Sequence, residues 1–122
     1  MVFFRKKSRS RHNVDMQVKV QDRGAGCLVS ISGRITIDSS PELLSLLLQN
    51  LSAAGRDSVT VDLSDAVYID TSALAVLLEV LKAARKLKRK FHLTGLRGRP
   101  LYLMEVTGFI RLFSEGPHET AI

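Results

Sequence analysis

The sequence contains no tryptophan, two tyrosines, three prolines and a single cysteine in 122 residues. One cysteine excludes an intramolecular disulfide and a cysteine-built zinc cage. Lone Cys27 lies inside an alternating apolar run, where it reads as a small buried hydrophobe. His12, His92 and His118 have no metal-ligand spacing to Asp, Glu or Cys. There is no phosphate-cradling GK[ST] loop and no Gly-rich dinucleotide turn after a strand. No apolar run approaches the roughly 18 residues of a membrane span. Val2, Phe3 and Phe4 precede a positive run, the reverse of a secretory signal. With no catalytic constellation, the chain is expected to be no enzyme, to need no cofactor or metal, and to be cytoplasmic.

What is present is ordinary globular material. Hydrophobic residues make up 45% and charged residues 25%, enough for one domain with a real core. The formal net charge is +6. Arg5, Lys6, Lys7, Arg9 and Arg11 place five of these charges in the first twelve residues, while the other 110 carry 13 basic and 12 acidic side chains. The expected division is therefore a basic, disordered N-terminal tail at 1–13, a near-neutral domain at 14–115, and a loose C-terminus at 116–122. The tail is either a solvated arm or a weak contact with anionic membrane through residues 3–11. Direct nucleic-acid binding is not expected, because no recognition module accompanies it. A second basic cluster, Lys82, Arg85, Lys86 and Arg89, repeats at helical spacing. It reads as a solvated, dipole-matched helix end or as a docking patch for an acidic partner.

Along the chain, Met16, Val18 and Val20 alternate with polar residues, as do Cys27, Val29 and Ile31; with a turn over Asp22–Gly26 they predict a hairpin. Ile35 and Ile37 follow in extended form. Ser40 is placed as the cap of a helix opening at Pro41 and ending before Gly55. Its apolar stripe is Leu43, Leu44, Leu47 and Leu48. Val59, Val61 and Leu63 predict a strand, followed by a link from Ser64 to Ile69. From Ala73 a helix-forming run extends to Lys90, then a strand over Phe91–Thr94. Pro100 opens a short helix over Leu101–Val106, with Thr107-Gly108 as its stop. The final apolar group, Phe109 to Phe113, is placed as a last strand. Strand–helix–strand units require crossovers, so the later strands are expected to be parallel.

The polar cluster Asp70-Thr71-Ser72 stands at the start of the most apolar helix. Asp70 or Thr71 would cap it. A hydroxyl there is also well placed to carry a phosphate, because the helix dipole and free N–H groups stabilise negative charge. Phosphorylation beside Asp70 would create an acidic patch that repels a partner built for a neutral hydroxyl.

At this motif the sequence resembles the STAS domains, typified by bacterial anti-sigma factor antagonists. The family's Asp-Ser-[Ser/Thr]-Gly-Leu-Gly before an apolar helix is similar to Asp70-Thr71-Ser72-Ala73-Leu74-Ala75. Its Gly-[Glu/Arg]-Leu-Asp segment is similar to Gly33-Arg34-Ile35-Thr36, with Asp38, Ser39, Ser40 and Pro41 following. Its Thr-Gly-Leu before the final element is similar to Thr107-Gly108-Phe109. The three motifs span 15–113 in order. The resemblance implies an α/β fold: a STAS-like mixed sheet of four to five strands covered by three to four helices. It implies no chemistry by the domain itself. It implies a phosphorylation-switched antagonist that binds an anti-sigma factor kinase when unphosphorylated, with a phosphatase reversing the mark. Thr71 is the matching phosphosite, Ser72 the second choice. Asp70, Thr71, Ser72, Ala73 and Leu74, with Thr36, Asp38 and Ser39, would form the docking surface. The motif glycines are Ala73 and Ala75 here, each adding about 1 kcal/mol of helix preference over Gly.

A second pattern within the fold is also matched. The STAS subunit that binds the ATPase of phospholipid-transport ABC complexes has a motif similar to Asp-Thr-Gly-Gly-Leu-Ala-Leu-Leu-Leu; Thr71, Leu74, Ala75, Leu77 and Leu78 fit it. A third class is a lipid- or nucleic-acid-binding protein driven by the tail.

Overall fold

The computed structural model describes residues 2–6 and 16–114. Its elements are β1 (Val2–Lys6), β2 (Met16–Arg23), β3 (Gly26–Ile35), α1 (Ser40–Ser52), β4 (Ser58–Ile69), α2 (Thr71–Leu87), β5 (Lys90–Thr94), α3 (Gly98–Thr107) and α4 (Ile110–Ser114). The strands form one mixed sheet in the order β1-β2-β3-β4-β5. β2 and β3 form the expected antiparallel hairpin, with Val18 opposite Ile31 and Val20 opposite Val29. β4 runs parallel to both β3 and β5, as the two helical crossovers require. The chain has the parallel later strands that its element order implied and the STAS-like mixed α/β sheet that the resemblance implied.

Alternation decides which face is covered. Met16, Val18, Val20, Cys27, Val29, Ile31, Val59, Val61, Leu63, Phe91 and Leu93 are all buried. The side chains between them stay half-buried or exposed. α1 adds Leu43, Leu47 and Leu51 to this core, and α2 adds Leu74, Leu77, Val80, Leu81 and Ala84. Leu44 and Leu48, expected in the same stripe as Leu43 and Leu47, are only partly buried. Burial of a Leu or Val side chain contributes about 1.5–3 kcal/mol, so this single contiguous cluster is the main stabilising term.

Four expectations are corrected. Residues 2–6 do not trail free of the domain: their backbone pairs antiparallel with β2, Phe4 opposite Val18. Val and Phe favour extended chain, and the pairing covers an edge that β2 would otherwise leave open. Lys7, Arg9 and Arg11 of the basic tail, and the C-terminus at 116–122, lie outside the described residues. Second, the link expected at Ser64–Ile69 is strand: β4 continues to Ile69, which pairs with Ile35. Register shifts between Ser30 and Ser32 and between Gly33 and Arg34 break the simple alternation that sequence periodicity relies on. Third, α1 is capped by Ser39 rather than Ser40, and Ser39 makes no side-chain capping bond. Fourth, the last strand is helix α4. Phe109, Ile110, Leu112 and Phe113 are spaced i, i+1, i+3, i+4, a helical stripe, and buried Phe113 packs on Phe91 with ring centroids 6.1 Å apart.

Arg89 also departs from its expected place on the basic helix face. It lies beyond α2 and donates through Nη1 to the carbonyls of Leu51 and Ala53. These are carbonyls at the C-terminal end of α1 that lack helical partners. Lys88, before it, caps α2 with φ at 57°.

Candidate functional site

Two parallel strands, β3 and β4, end side by side, with Ile35 opposite Ile69. Each leads directly into a helix, so the loop 36–39 and the start of α2 are forced together. The tie between them is Asp70. Its backbone N–H donates to Ile35 O at 3.2 Å. Its Oδ1 accepts from Ser72 N at 2.9 Å, from Ala73 N at 3.3 Å and from Ser72 Oγ at 2.5 Å. Its Oδ2 accepts from Ile37 N at 3.1 Å. One carboxylate thus caps α2 and pins the neighbouring loop. A charged acceptor is favoured here because the α2 amides present partial positive charge.

Ser72 is drawn into this network. Its hydroxyl donates to Asp70, and its oxygen lies 2.7 Å from Ser40 Oγ, which in turn donates to Thr36 O at 2.9 Å. Two hydroxyl protons are shared among three contacts, so both hydroxyl donors are engaged. The loop turns tightly: Ser39 N and Ser40 N donate to Thr36 O at 2.9 and 2.8 Å. Ser39 Oγ faces the Thr36 backbone, accepting from its N–H and donating to its carbonyl.

Exposure then sorts the eight residues expected at the surface. Thr71, at the first helical position, is exposed, and its side chain makes no hydrogen bond among the described residues. Asp38 is also exposed. Asp70, Ser72 and Thr36 are half-buried and hold the scaffold. Ala73 and Leu74 are buried in the core, and Ser39 is 5% exposed, so these three support the surface without presenting a side chain to a partner. Of the motif alanines, Ala75 faces solvent one turn beyond Thr71.

Several surface residues escaped the sequence reading. Ile37 is 70% exposed and Val67 63% exposed. Arg34 lies over the Tyr68 ring with its guanidinium carbon 4.2 Å from the ring centre, and Arg99 approaches the same ring at 5.8 Å. Ile37, expected in extended form after Ile35, lies instead in the turn before α1, because β3 ends at Ile35, and an apolar residue there has nowhere to be buried. Arg34, Tyr68 and Arg99 left no linear signal, since only strand pairing and α3 bring them together. No group of three or more His, Cys, Asp or Glu suited to a metal ion occurs among the described residues.

A family model described as "Mlab, STAS domain" matches residues 18–114. Among solved structures, an anti-sigma factor antagonist from Mycobacterium paratuberculosis superposes with a TM-score of 0.73 at 19% identity, covering 80% of this chain and 82% of that one. The Bacillus cell fate determinant SpoIIAA in its phosphorylated form gives 0.62 at 6% identity, covering 75% and 83%. A sulfate transporter family protein from Wolinella succinogenes gives 0.66 at 19% identity, covering 84% and 80%. These likenesses establish a shared fold.

Proposed function

The chain belongs to the STAS domain family, and from that premise we propose that it is a protein-binding module, not an enzyme, which docks a partner through the edge around Thr71. The favoured partner is an anti-sigma factor kinase, with Thr71 as the switch. The observation that carries this is the contrast between two adjacent hydroxyls: Thr71 is exposed and unengaged among the described residues, while Ser72 is held by Asp70 and Ser40. A kinase would transfer the γ-phosphoryl group of ATP to Thr71 Oγ1, with loss of the hydroxyl proton and release of ADP. The phosphate would gain from the α2 N-terminus. It would also stand close to the Asp70 carboxylate, so the local charge would become strongly negative without α2 unfolding. A partner surface fitted to Ile37, Ala75 and a neutral hydroxyl would then be repelled. A phosphatase would restore it. The antagonist and phosphorylated neighbours support this reading.

A second reading is a STAS subunit bound to a transporter ATPase. It is favoured by Ala75 in place of glycine, by the fit of Leu77 and Leu78, by a family model named for Mlab rather than for the antagonists, and by the transporter-family neighbour. In this reading the same edge docks constitutively. The deciding experiment incubates the protein with the candidate kinase and ATP and maps phosphate by mass spectrometry. Phosphate on Thr71, absent from Thr71→Ala and retained in Ser72→Ala, is the expected result. No phosphate on either hydroxyl, together with co-purification of a transporter ATPase, favours the second reading. Cytoplasmic location belongs to both proposals; no helix among the described residues is long and apolar enough to cross a membrane.

A further inference from the structure

A second surface lies along the later turns of α2, far from the hydroxyl switch. Lys86 is fifteen residues beyond Thr71, which on a helix is about 22 Å. Here α1 and α2 pack side by side and leave an open groove of about 660 Å³. Leu44 and Leu48 of α1 and Ala83 of α2 form its floor. All three are only partly buried, each resting on the core with one side uncovered. Lys82, Arg85 and Lys86 stand along the α2 bank, all exposed. The acid in the lining is Glu79, 3.8 Å from Lys82 in an exposed i, i+3 contact, which does little to neutralise the bank. Arg85 makes one long bond, 3.4 Å to Leu112 O.

We infer that this groove is a docking site for an acidic amphipathic helix of a partner protein. The spacing carries the geometry. Leu44 and Leu48 are i, i+4 on α1; Glu79, Lys82, Ala83 and Lys86 make the matching stripe on α2. A third helix laid between two such stripes meets an apolar floor with its apolar face and a row of cations with its flank, the helix-in-groove mode of recognition. Charge sets the sign of the partner, because the rim is strongly basic while the domain as a whole is near neutral. A membrane surface fits less well. The floor residues are recessed below the charged bank, and on this stretch of α2 the one large apolar side chain described as exposed is Leu87, at 46%. The site is independent of Thr71, so phosphorylation control and groove docking stand or fall separately.

The test uses the full chain and a fluorescein-labelled peptide of about 18 residues, five helical turns, with Leu on one face and Glu on its flanks. A scrambled peptide of the same composition and mixed phosphatidylcholine–phosphatidylglycerol vesicles are run beside it. The expected result is saturable anisotropy for the amphipathic peptide alone, with amide NMR shifts at Leu44, Leu48 and Ala83. The double variant Lys82→Glu/Lys86→Glu should weaken binding at least about tenfold, as reversal of a complementary rim does. Leu48→Ser should weaken it too, while Thr71→Ala leaves it unchanged. Equal binding of the scrambled peptide, insensitivity to the charge reversal, shifts centred elsewhere, or vesicle binding without peptide binding would each overturn the inference.

Discussion

The Asp70 side chain is where the two halves of the candidate site meet, and replacing it isolates how the site is built. Asp70→Ala removes the α2 cap, worth about 0.5–2 kcal/mol at such positions. It also removes the acceptor for Ile37 N and the carboxylate bond from Ser72 Oγ; hydrogen bonds to charged groups contribute about 1.5–3 kcal/mol each. The bonds share one carboxylate and are partly exposed, so they do not add fully. An expected loss of about 3 kcal/mol follows, a large share of a typical stability of about 5–15 kcal/mol. Asp70→Asn separates the two roles. Its single carbonyl oxygen can still cap α2 through Ser72 N and Ala73 N, but its amide NH₂ then faces the Ile37 N–H, donor against donor. Asn should therefore recover about 1–2 kcal/mol, the cap alone, and leave the 36–39 loop unpinned. Urea unfolding followed by circular dichroism at fixed pH measures both, provided the m-values agree so that the same surface is exposed. Amide exchange at Ile37 reports the loop directly and should accelerate in both variants. If Asp70→Ala loses less than about 0.5 kcal/mol, or Asn protects Ile37 as well as Asp does, the two-sided tie is wrong.

Other expectations follow from particular contacts. Gly95 has φ at +76°, and a Cβ there would sit 2.2 Å from Ser64 Oγ and 2.6 Å from Asp62 Oδ1. Gly95→Ala should thus destabilise by about 3 kcal/mol, strain and overpacking together, read as a fall in urea midpoint. Lys88 caps α2 in the left-handed region, so Lys88→Gly should raise stability by about 1 kcal/mol. Arg56 donates to the carbonyls of Asn50, Gly24 and Gly26 and pairs with Asp22; Arg56→Lys lacks the fork and should lose about 2 kcal/mol in the same unfolding assay. Burial pushes the Cys27 thiol above its ordinary value of 9.0, against a smaller lowering by Arg56. Its neutral form stabilises the fold below that pH, and the contribution is lost as pH rises through the folded-state value. Native protein should accordingly react slowly with a thiol reagent at pH 8 and fast in urea.

The parts of the molecule visible in the sequence are those written in a single period. Met16-Val18-Val20 and Cys27-Val29-Ile31 alternate strictly, and each faces the core as alternation requires. The run from Ala73 to Leu87 consists of helix formers with an Asp at its head, and the cap forms as that pattern implies. Errors fall where the period changes within one element. β4 buries its side chains at 59, 61 and 63 and then at 66 and 69, so an alternation test stops halfway along a continuous strand. Phe109 to Phe113 looks like a last strand as a short apolar group, while its own spacing is helical. Arg89 shares helical spacing with Lys82, Arg85 and Lys86, but spacing records the charge and not its partner. Its two carbonyl acceptors lie more than thirty residues earlier, at the end of α1 and on its cap residue.

The same limit applies to the site: the residues alone offer the hydroxyl pair, and only the family resemblance puts Thr71 ahead of Ser72. Thr71 and Ser72 are adjacent on a helix, so they point about 100° apart around its axis. Which of them faces solvent depends on where the rest of the first turn is anchored. That anchor is not in the motif. It is supplied by Ser40 and Ile37, contributed by a loop more than thirty residues away whose position is set by the Ile35–Ile69 pairing. The motif supplies two candidate hydroxyls, and the parallel strand pairing engages one and leaves the other exposed. A relative that kept Asp-Thr-Ser but lost the serine at position 40 would hold the inner hydroxyl through Asp70 alone. In such a chain the choice between the two positions should become less strict, which makes Ser40→Ala a probe of selectivity that leaves both hydroxyls in place.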